Sequence, residues 1–222
     1  MIKIVSATRR SEEEFWEESA LGLSMRRLDA TRYVYGLAFD NKDPLPHVYN
    51  YFLQEKDACE EIVFMHDDVW IDDYFLLDRV SAGLEVFDVI GVAGNRRRVP
   101  KQPAWGFTDI NFKWDSDNLS GAIAEGPDPA GKVHVAGKTP AECELLDGVF
   151  LAAKKSTLLK TRTLFDPRFD FHFYDMDFCR TARANGLRLG TWPICMTHQG
   201  AGIFGTPEWQ KNYKAYLAKW GS

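Results

Sequence analysis

The sequence has no CxxC pair. Its four cysteines, Cys59, Cys143, Cys179 and Cys195, are widely spaced, which argues against zinc-knuckle and thioredoxin-type chemistry and predicts reduced, buried thiols rather than a disulfide framework. Nowhere does an apolar run approach the roughly 18 residues of a membrane span, and the opening MIKIVSATRR has no apolar stretch long enough for a signal peptide. A soluble, cytoplasmic protein with no transmembrane segment is therefore expected, with peripheral attachment to a membrane left open. Positive charge is not in excess either. A net charge of -5 gives no basis for a nucleic-acid backbone as the main partner, although an arginine cluster or a metal can still bind phosphate locally. Internal repeats and low-complexity segments are absent as well.

What is present is an ordinary globular composition: 222 residues, 45% hydrophobic and 27% charged, enough for one α/β domain with a sizeable core. Ile2 to Ser6 reads as the first strand. Ser11 with Glu14 forms a capping-box pattern ahead of a helix over 12–28. Tyr33 to Phe39 reads as a second strand, ending in the turn-rich DNKDP. A helix follows from Pro46 to about Ala58, then a strand over 62–65, a helix from about Asp72 to Phe87 and a strand over 88–93. Strands separated by helices of crossover length predict a Rossmann-like, mostly parallel sheet flanked by helices.

The pattern breaks between Gly94 and Gly137. Trp105, Phe107, Phe112 and Trp114 occur there among many Gly, Pro and Asp residues, so the stretch reads as a substrate loop or flap carrying short strands, one near 132–136. The bland alternative is an excursion that its aromatics merely anchor. Beyond it come an apolar run over 143–152 interrupted by Asp147 and Gly148, a short helix over 154–160 and a helix over 173–185 closed by Gly186. A strand over 187–195, irregular or near an edge of the sheet, and a final helix over 207–219 complete the chain.

The chemistry centres on IVFMHDDVWI, residues 62–71. An apolar strand ends in His66, Asp67 and Asp68, and two adjacent carboxylates repel unless a cation, a donor or water offsets them. Strand carboxyl ends are where ligands collect in open α/β sheets. Asp175 and Asp177 open a later helix, two residues apart and so on different faces, and His198 follows a late strand. One carboxylate of the first pair with His198 is a plausible donor set for Mn2+ or Mg2+, and Asp175 is then free to accept a proton. Residue type and spacing equally allow plain turn residues, helix-start acids stabilised by the dipole and a satisfied structural histidine.

Taken in order, IVFMHDDVWI, LLDGVFLAAKK, FDPRFDFHFYDMDFCRTARANGLRLG and the histidine of MTHQG resemble the inverting family 2 nucleotide-sugar glycosyltransferases of GT-A fold. The resemblance covers about residues 2–204. It implies one domain over 1–222, with a nucleotide-binding half over about 1–94, the substrate loop over 95–140, and an acceptor-side half over 141–222 that includes a smaller mixed sheet and the C-terminal helix. By the same resemblance Asp67 and Asp68 meet the metal and donor diphosphate, Asp68 directly, and His198 completes the metal shell. Thr8, Arg9, Asp40 and Asn41 line the nucleotide pocket, Asp147 and Gly148 lie near the sugar, and Asp175 is the general base. The implied reaction moves a sugar from a nucleoside-diphosphate donor, a UDP-sugar slightly favoured, to a hydroxyl on a carbohydrate, lipid-linked or other acceptor.

Two departures stand out. His66 occupies a position often apolar or acidic in the family, which leaves His66 or Asp67 as the companion of Asp68. Tyr174 stands where relatives carry an acid before the base. The alternatives are a catalytically inactive GT-A-like domain that binds sugar or protein, and a sugar nucleotidyltransferase. The latter typically opens with a glycine-rich loop, and VSATRRSEEE has no glycine. Nothing after Trp220 reads as a further acceptor domain or anchor, and oligomeric state is open.

Overall fold

In the computed structural model, which describes residues 1–200 and 202–221, the strands in chain order are β1 (Ile2–Ala7), β2 (Tyr33–Ala38), β3 (Glu61–Met65), β4 (Val69–Ile71), β5 (Val89–Gly91), β6 (Ala93–Asn95), β7 (Leu119–Glu125), β8 (Lys132–Gly137), β9 (Ala141–Cys143), β10 (Leu145–Leu146), β11 (Phe150–Lys154), β12 (Leu189–Thr191) and β13 (Met196–His198). The helices are α1 (Glu12–Glu18), α2 (Ala20–Met25), α3 (Leu45–Gln54), α4 (Leu76–Leu84), α5 (Lys155–Thr161), α6 (Tyr174–Ala184) and α7 (Pro207–Trp220).

A seven-stranded sheet runs in the order β2-β1-β3-β11-β5-β12-β9. The pairs β2-β1, β1-β3 and β5-β12 are parallel, whereas β11 runs antiparallel to both neighbours and β9 antiparallel to β12. All strands but β11 and β9 therefore share one direction. A smaller six-stranded sheet, β10-β6-β7-β13-β4 with β8 added to β7, packs beside it. The architecture is a GT-A-like, Rossmann-like α/β fold.

β3 is covered on both faces, as its continuous apolar run requires. Ile62 and Phe64 join one core cluster with Tyr49 and Phe165, and Val63 and Met65 join the other with Phe150 and Leu76. Burying a ring such as Phe64 contributes about 2 kcal/mol, which helps this strand carry a polar exit.

Local chemistry explains where the elements depart from the periodicity. The expected 12–28 helix is two helices. Ser11 forms its capping box with Glu14, but Ser19 adopts extended backbone, bonds back to the Phe15 carbonyl (2.7 Å) and caps α2 through the Gly22 N–H (2.9 Å). A serine that satisfies two turns at once breaks the helix between them. The apolar run over 88–93 is likewise two strands: β5 lies in the large sheet and β6 in the small one, so the chain changes sheets at Val92. Gly121 allows this switch. It sits at φ +92, and a Cβ there would lie 2.0 Å from the Val92 carbonyl oxygen. The helices at 46–58 and 72–87 are shorter than expected, ending at Gln54 and starting at Leu76.

β12, expected irregular or near an edge, lies one strand in from the edge, between β5 and the edge strand β9. Gly190 is there for close packing, since a Cβ would meet the Phe87 ring at 2.4 Å. The 95–140 stretch contributes β7 and β8 to the second sheet, and residues between β6 and β7 form an aromatic-rich loop. Of the cysteines, Cys59, Cys143 and Cys179 are buried and free, and Cys195 is free but exposed, against the expectation that all are buried.

Candidate active site

Two strand registers assemble the site. β4 and β13 pair antiparallel with Val69 opposite His198, and the Gln199 N–H donates to the Asp68 carbonyl (2.9 Å), so His198 is placed beside Asp68. β11 pairs with β3 so that Phe150 faces Met65, and the His66 N–H donates to the Val149 carbonyl (3.2 Å). That bond brings the Asp147–Gly148 turn alongside the exit of β3. A helix start supplies the fourth wall: Phe173 takes a left-handed backbone conformation immediately before α6, and Tyr174 and Asp175 follow.

His66, Asp68 and His198 each offer one ligand atom within 4.8 Å of the others. His66 Nδ1 is 3.9 Å from Asp68 Oδ1, and His198 Nε2 is 3.3 Å from Asp68 Oδ2. The tautomer of His66 follows from its partner. The single hydroxyl proton of Tyr174 goes to the Gly148 carbonyl (2.8 Å), so this hydroxyl accepts from His66 Nε2, also at 2.8 Å. Nδ1 is then left with a free lone pair on the Asp68 side. Burial pushes His66 down to about 4 against the pull of Asp68, which keeps it neutral near pH 7 as a ligand must be. Asp68 behaves differently. Burial works to raise it, but the hydrogen bond and charge of His198 prevail and its carboxyl is lowered; His198 is correspondingly raised by Asp68 against its own burial.

A further observation accords with a metal site. Asp68 Oδ1 is buried with no hydrogen-bond partner among the described residues, an arrangement that costs free energy unless a cation meets it. A carboxylate flanked by two imidazoles, one with its lone pair held ready, has the donor chemistry of a divalent-cation site. Gly200 leaves the space open, because a Cβ there would lie 2.7 Å from Asp68 Oδ2.

Asp67 goes elsewhere. Its Oδ2 accepts from the Thr8 hydroxyl (2.6 Å), and its carbonyl accepts from the Leu21 N–H (3.1 Å). Between the two candidates for companion to Asp68, the geometry thus brings in His66 and turns Asp67 toward β1. Thr8, Arg9, Asp40 and Asn41 lie together at the exits of β1 and β2, where the Asn41 N–H donates to the Thr8 carbonyl (2.8 Å) and Asp40 has a positive φ. Thr8 is buried and Arg9 and Asp40 are exposed.

A cavity of about 870 Å³ contains the other candidates: His66, Asp68, Asp147, Gly148, Asp175 and His198 all line it. Burial and the neighbouring Asp147 raise Asp175 to about 7, against backbone N–H groups that favour its charge. Burial also raises Asp147, whose Oδ1 accepts from the Val149 N–H (3.1 Å). Gly148 is required by contact, since a Cβ would fall 2.4 Å from the Tyr174 hydroxyl and 2.8 Å from Asp175 Cβ. Asp177 points away, fully buried against α7, with Oδ1 accepting from Trp220 Nε1–H (2.7 Å) and paired with Lys219 (2.6 Å). Two residues along a helix are about 200° apart, which sends the two acids to opposite sides.

Tyr174 had no functional signal beyond its replacement of an acid, because its partners lie far away in sequence. Likewise, nothing in the sequence ranked His66 above Asp67. Among the described residues, no helix is long and apolar enough to cross a membrane.

No protein family matches the sequence, and no curated protein matches it either. Similarity appears among solved structures. S. aureus TarS aligns over 98% of this chain and 39% of its own, at 13% identity and a TM-score of 0.56. The fragment S. aureus TarS 1–349 aligns over 98% of this chain and 64% of its own, at 13% identity and a TM-score of 0.54. The same fragment in complex with UDP gives 12% identity, the same coverage and a TM-score of 0.54. The chain thus spans less than two thirds of these structures' length, and at such identities the likeness is one of fold.

Proposed function

We propose that the chain is an inverting, metal-assisted glycosyltransferase that moves a sugar from a nucleoside-diphosphate donor to an acceptor hydroxyl, with Asp175 as general base. The observation that carries this reading is that Asp175 and the His66–Asp68–His198 cluster open into one cavity, joined by the Tyr174 hydroxyl next in sequence to the base. A basic carboxylate poised near neutrality and a cation site facing it are the two parts that a direct displacement from a diphosphate needs.

In this reading Asp68, His198 and His66 hold the ion, and two imidazoles favour Mn2+ over the harder Mg2+. When bound, the ion supplies positive charge against the departing diphosphate. Thr8, Arg9, Asp40, Asn41 and Asp67, in the half over residues 1–94, line the nucleotide pocket, with UDP chosen because a structural neighbour is solved with it. Asp147 and Gly148 border the sugar in the half over 141–222, and the segment over 95–140 supplies an acceptor wall. Asp175 accepts the proton of the acceptor hydroxyl as its oxygen attacks the anomeric carbon from the face opposite the diphosphate. One displacement inverts the configuration and needs no covalent nucleophile. Tyr174 fixes His66 with Nδ1 toward Asp68, and Gly148 lets the two walls approach.

Titration calorimetry of UDP with and without Mn2+ tests the reading. Heat that requires Mn2+ and vanishes in Asp68→Ala is expected. UDP binding indifferent to both overturns the metal assignment. Failure of every common nucleotide to bind the folded protein transfers the reading to a GT-A-like domain without catalysis.

A further inference from the structure

The cavity wall has a one-sided chemistry. Asp68, Glu125, Asp147 and Asp175 line it, as do four histidines, but no lysine or arginine does among the described residues. The obvious cationic run, Arg96 to Arg98, is absent from the lining. Arg97 forks onto Asp115 (2.8 and 2.7 Å), and Arg96 donates to the Asp117 carbonyl. A metal at Asp68 would be matched by the donor's own diphosphate, and among the described residues no lysine or arginine remains in this cavity to balance an anionic acceptor. A phosphate group placed here would face Asp147 and Asp175 in a partly desolvated site, where like charges repel most strongly.

The same wall carries an aromatic platform. Trp114 lies 4.5 Å from Phe107 and 6.2 Å from Trp105, ring centre to ring centre. Its six-membered ring rests against Gly106, where a Cβ would intrude to 2.4 Å. Yet Trp114 remains 55% exposed, so a supported ring offers surface to the cavity that no side chain covers. Ionised carboxylates only accept hydrogen bonds, so a ligand rich in O–H donors with an apolar ring face meets both parts of the wall.

From this combination we infer that the acceptor is an uncharged pyranoside, stacked on Trp114 with its hydroxyls donating toward the carboxylates, and that phosphate-bearing acceptors are rejected. The inference rests on the transferase reading, of which it names the acceptor class.

The test follows quenching of indole fluorescence by neutral methyl and phenyl pyranosides, and by the phosphate esters of the same sugars, with UDP and Mn2+ present. At least one neutral pyranoside should bind, and its phosphate esters should bind at least about tenfold more weakly. Because Trp114 is itself a reporter, affinities for the Trp114→Ala protein are measured by NMR saturation transfer; a three- to tenfold loss is expected. Glu125→Lys, a change on a half-exposed wall position, should narrow the gap between neutral sugar and phosphate ester and covers the case in which the tryptophan variant fails to fold. Phosphate esters binding as tightly as their parents, neutral sugars indifferent to Trp114, or no pyranoside binding at all would overturn the inference. Nucleotide calorimetry with Mn2+ on the same sample separates the cases: normal donor heat with any of these results sinks the acceptor class alone, whereas absent heat with every common nucleotide sinks the transferase.

Discussion

The exit of β3 and the start of α6 each present two acids close in sequence, and in each pair one acid is taken by the scaffold. Asp67 is held by the Thr8 hydroxyl and Asp177 by Lys219 and Trp220. Their neighbours line the cavity: Asp68 lies beside His66 and His198, and Asp175 has another acid, Asp147, beside it. The two sites differ in how the free acid is tuned. Histidine drives Asp68 toward the charged form, whereas burial and Asp147 drive Asp175 toward the neutral one. In the proposed reading, a ligand for a cation and a base for a proton thus arise from the same residue type through opposite surroundings.

The sharpest way to break the comparison is Asp175→Asn. Transfer should fall by about 10²- to 10⁴-fold while Mn2+-dependent UDP binding stays within a few-fold of wild type; equal loss of both would return Asp175 to a structural role. The pH dependence carries the same information. Activity of the native protein should rise with pH through about 7 as Asp175 ionises. Stability should move the other way. A carboxyl raised from an ordinary value of 3.8 to about 7 binds its proton more tightly when folded, so its destabilising effect is absent below about pH 4, grows as pH rises toward 7, and is complete above it. Asp175→Asn removes that effect, and chemical denaturation should find the variant more stable than wild type at pH 8, by on the order of a few kcal/mol at most, with the advantage gone near pH 4.

Asp177→Asn should differ in activity. Burial raises the Asp177 carboxyl against Lys219 and Trp220, and Lys219 retains Asp166 as a second partner at 2.7 Å. The variant's kcat should therefore stay within a few-fold of wild type, while urea melts shift in its favour as pH rises. A kcat loss as large as that of Asp175→Asn would erase the distinction between the two acids. The smallest effect belongs to Thr8→Val, which removes the hydroxyl that holds Asp67: about 1.5 kcal/mol of stability, with the thermal shift produced by Mn2+ alone unchanged. Loss of that shift would bring Asp67 back into the cation site.

Much of this was legible in the sequence. The capping box at Ser11, the buried strand ending in two acids, the helix opening at Asp175 and the late histidine all carry local signals, and the structure brings Asp68, Asp175 and His198 to one cavity. What was not legible depends on partners remote in the chain. Tyr174 and His66 are bonded across 108 positions, and no spacing rule reaches that far. The sheet switch at Val92 is hidden because the run from Val89 to Ala93 is apolar throughout, and the close approach of Gly121 that accompanies it lies about 30 residues away. β8 was legible, since Lys132 to Val135 alternate polar and apolar; what the pattern hid is that Val133 and Val135 stay exposed.

The grip of α7 on α6 has a consequence for how the protein is made. Lys219 and Trp220, which hold Asp177, leave the ribosome after every other contact of the helix carrying Asp175 has been synthesised. Until they arrive, a carboxylate destined for full burial has neither its cation nor its indole. A chain cut before residue 219 lacks both groups that hold Asp177. Completion of the surroundings of α6 is thereby tied to synthesis of the final turn of α7.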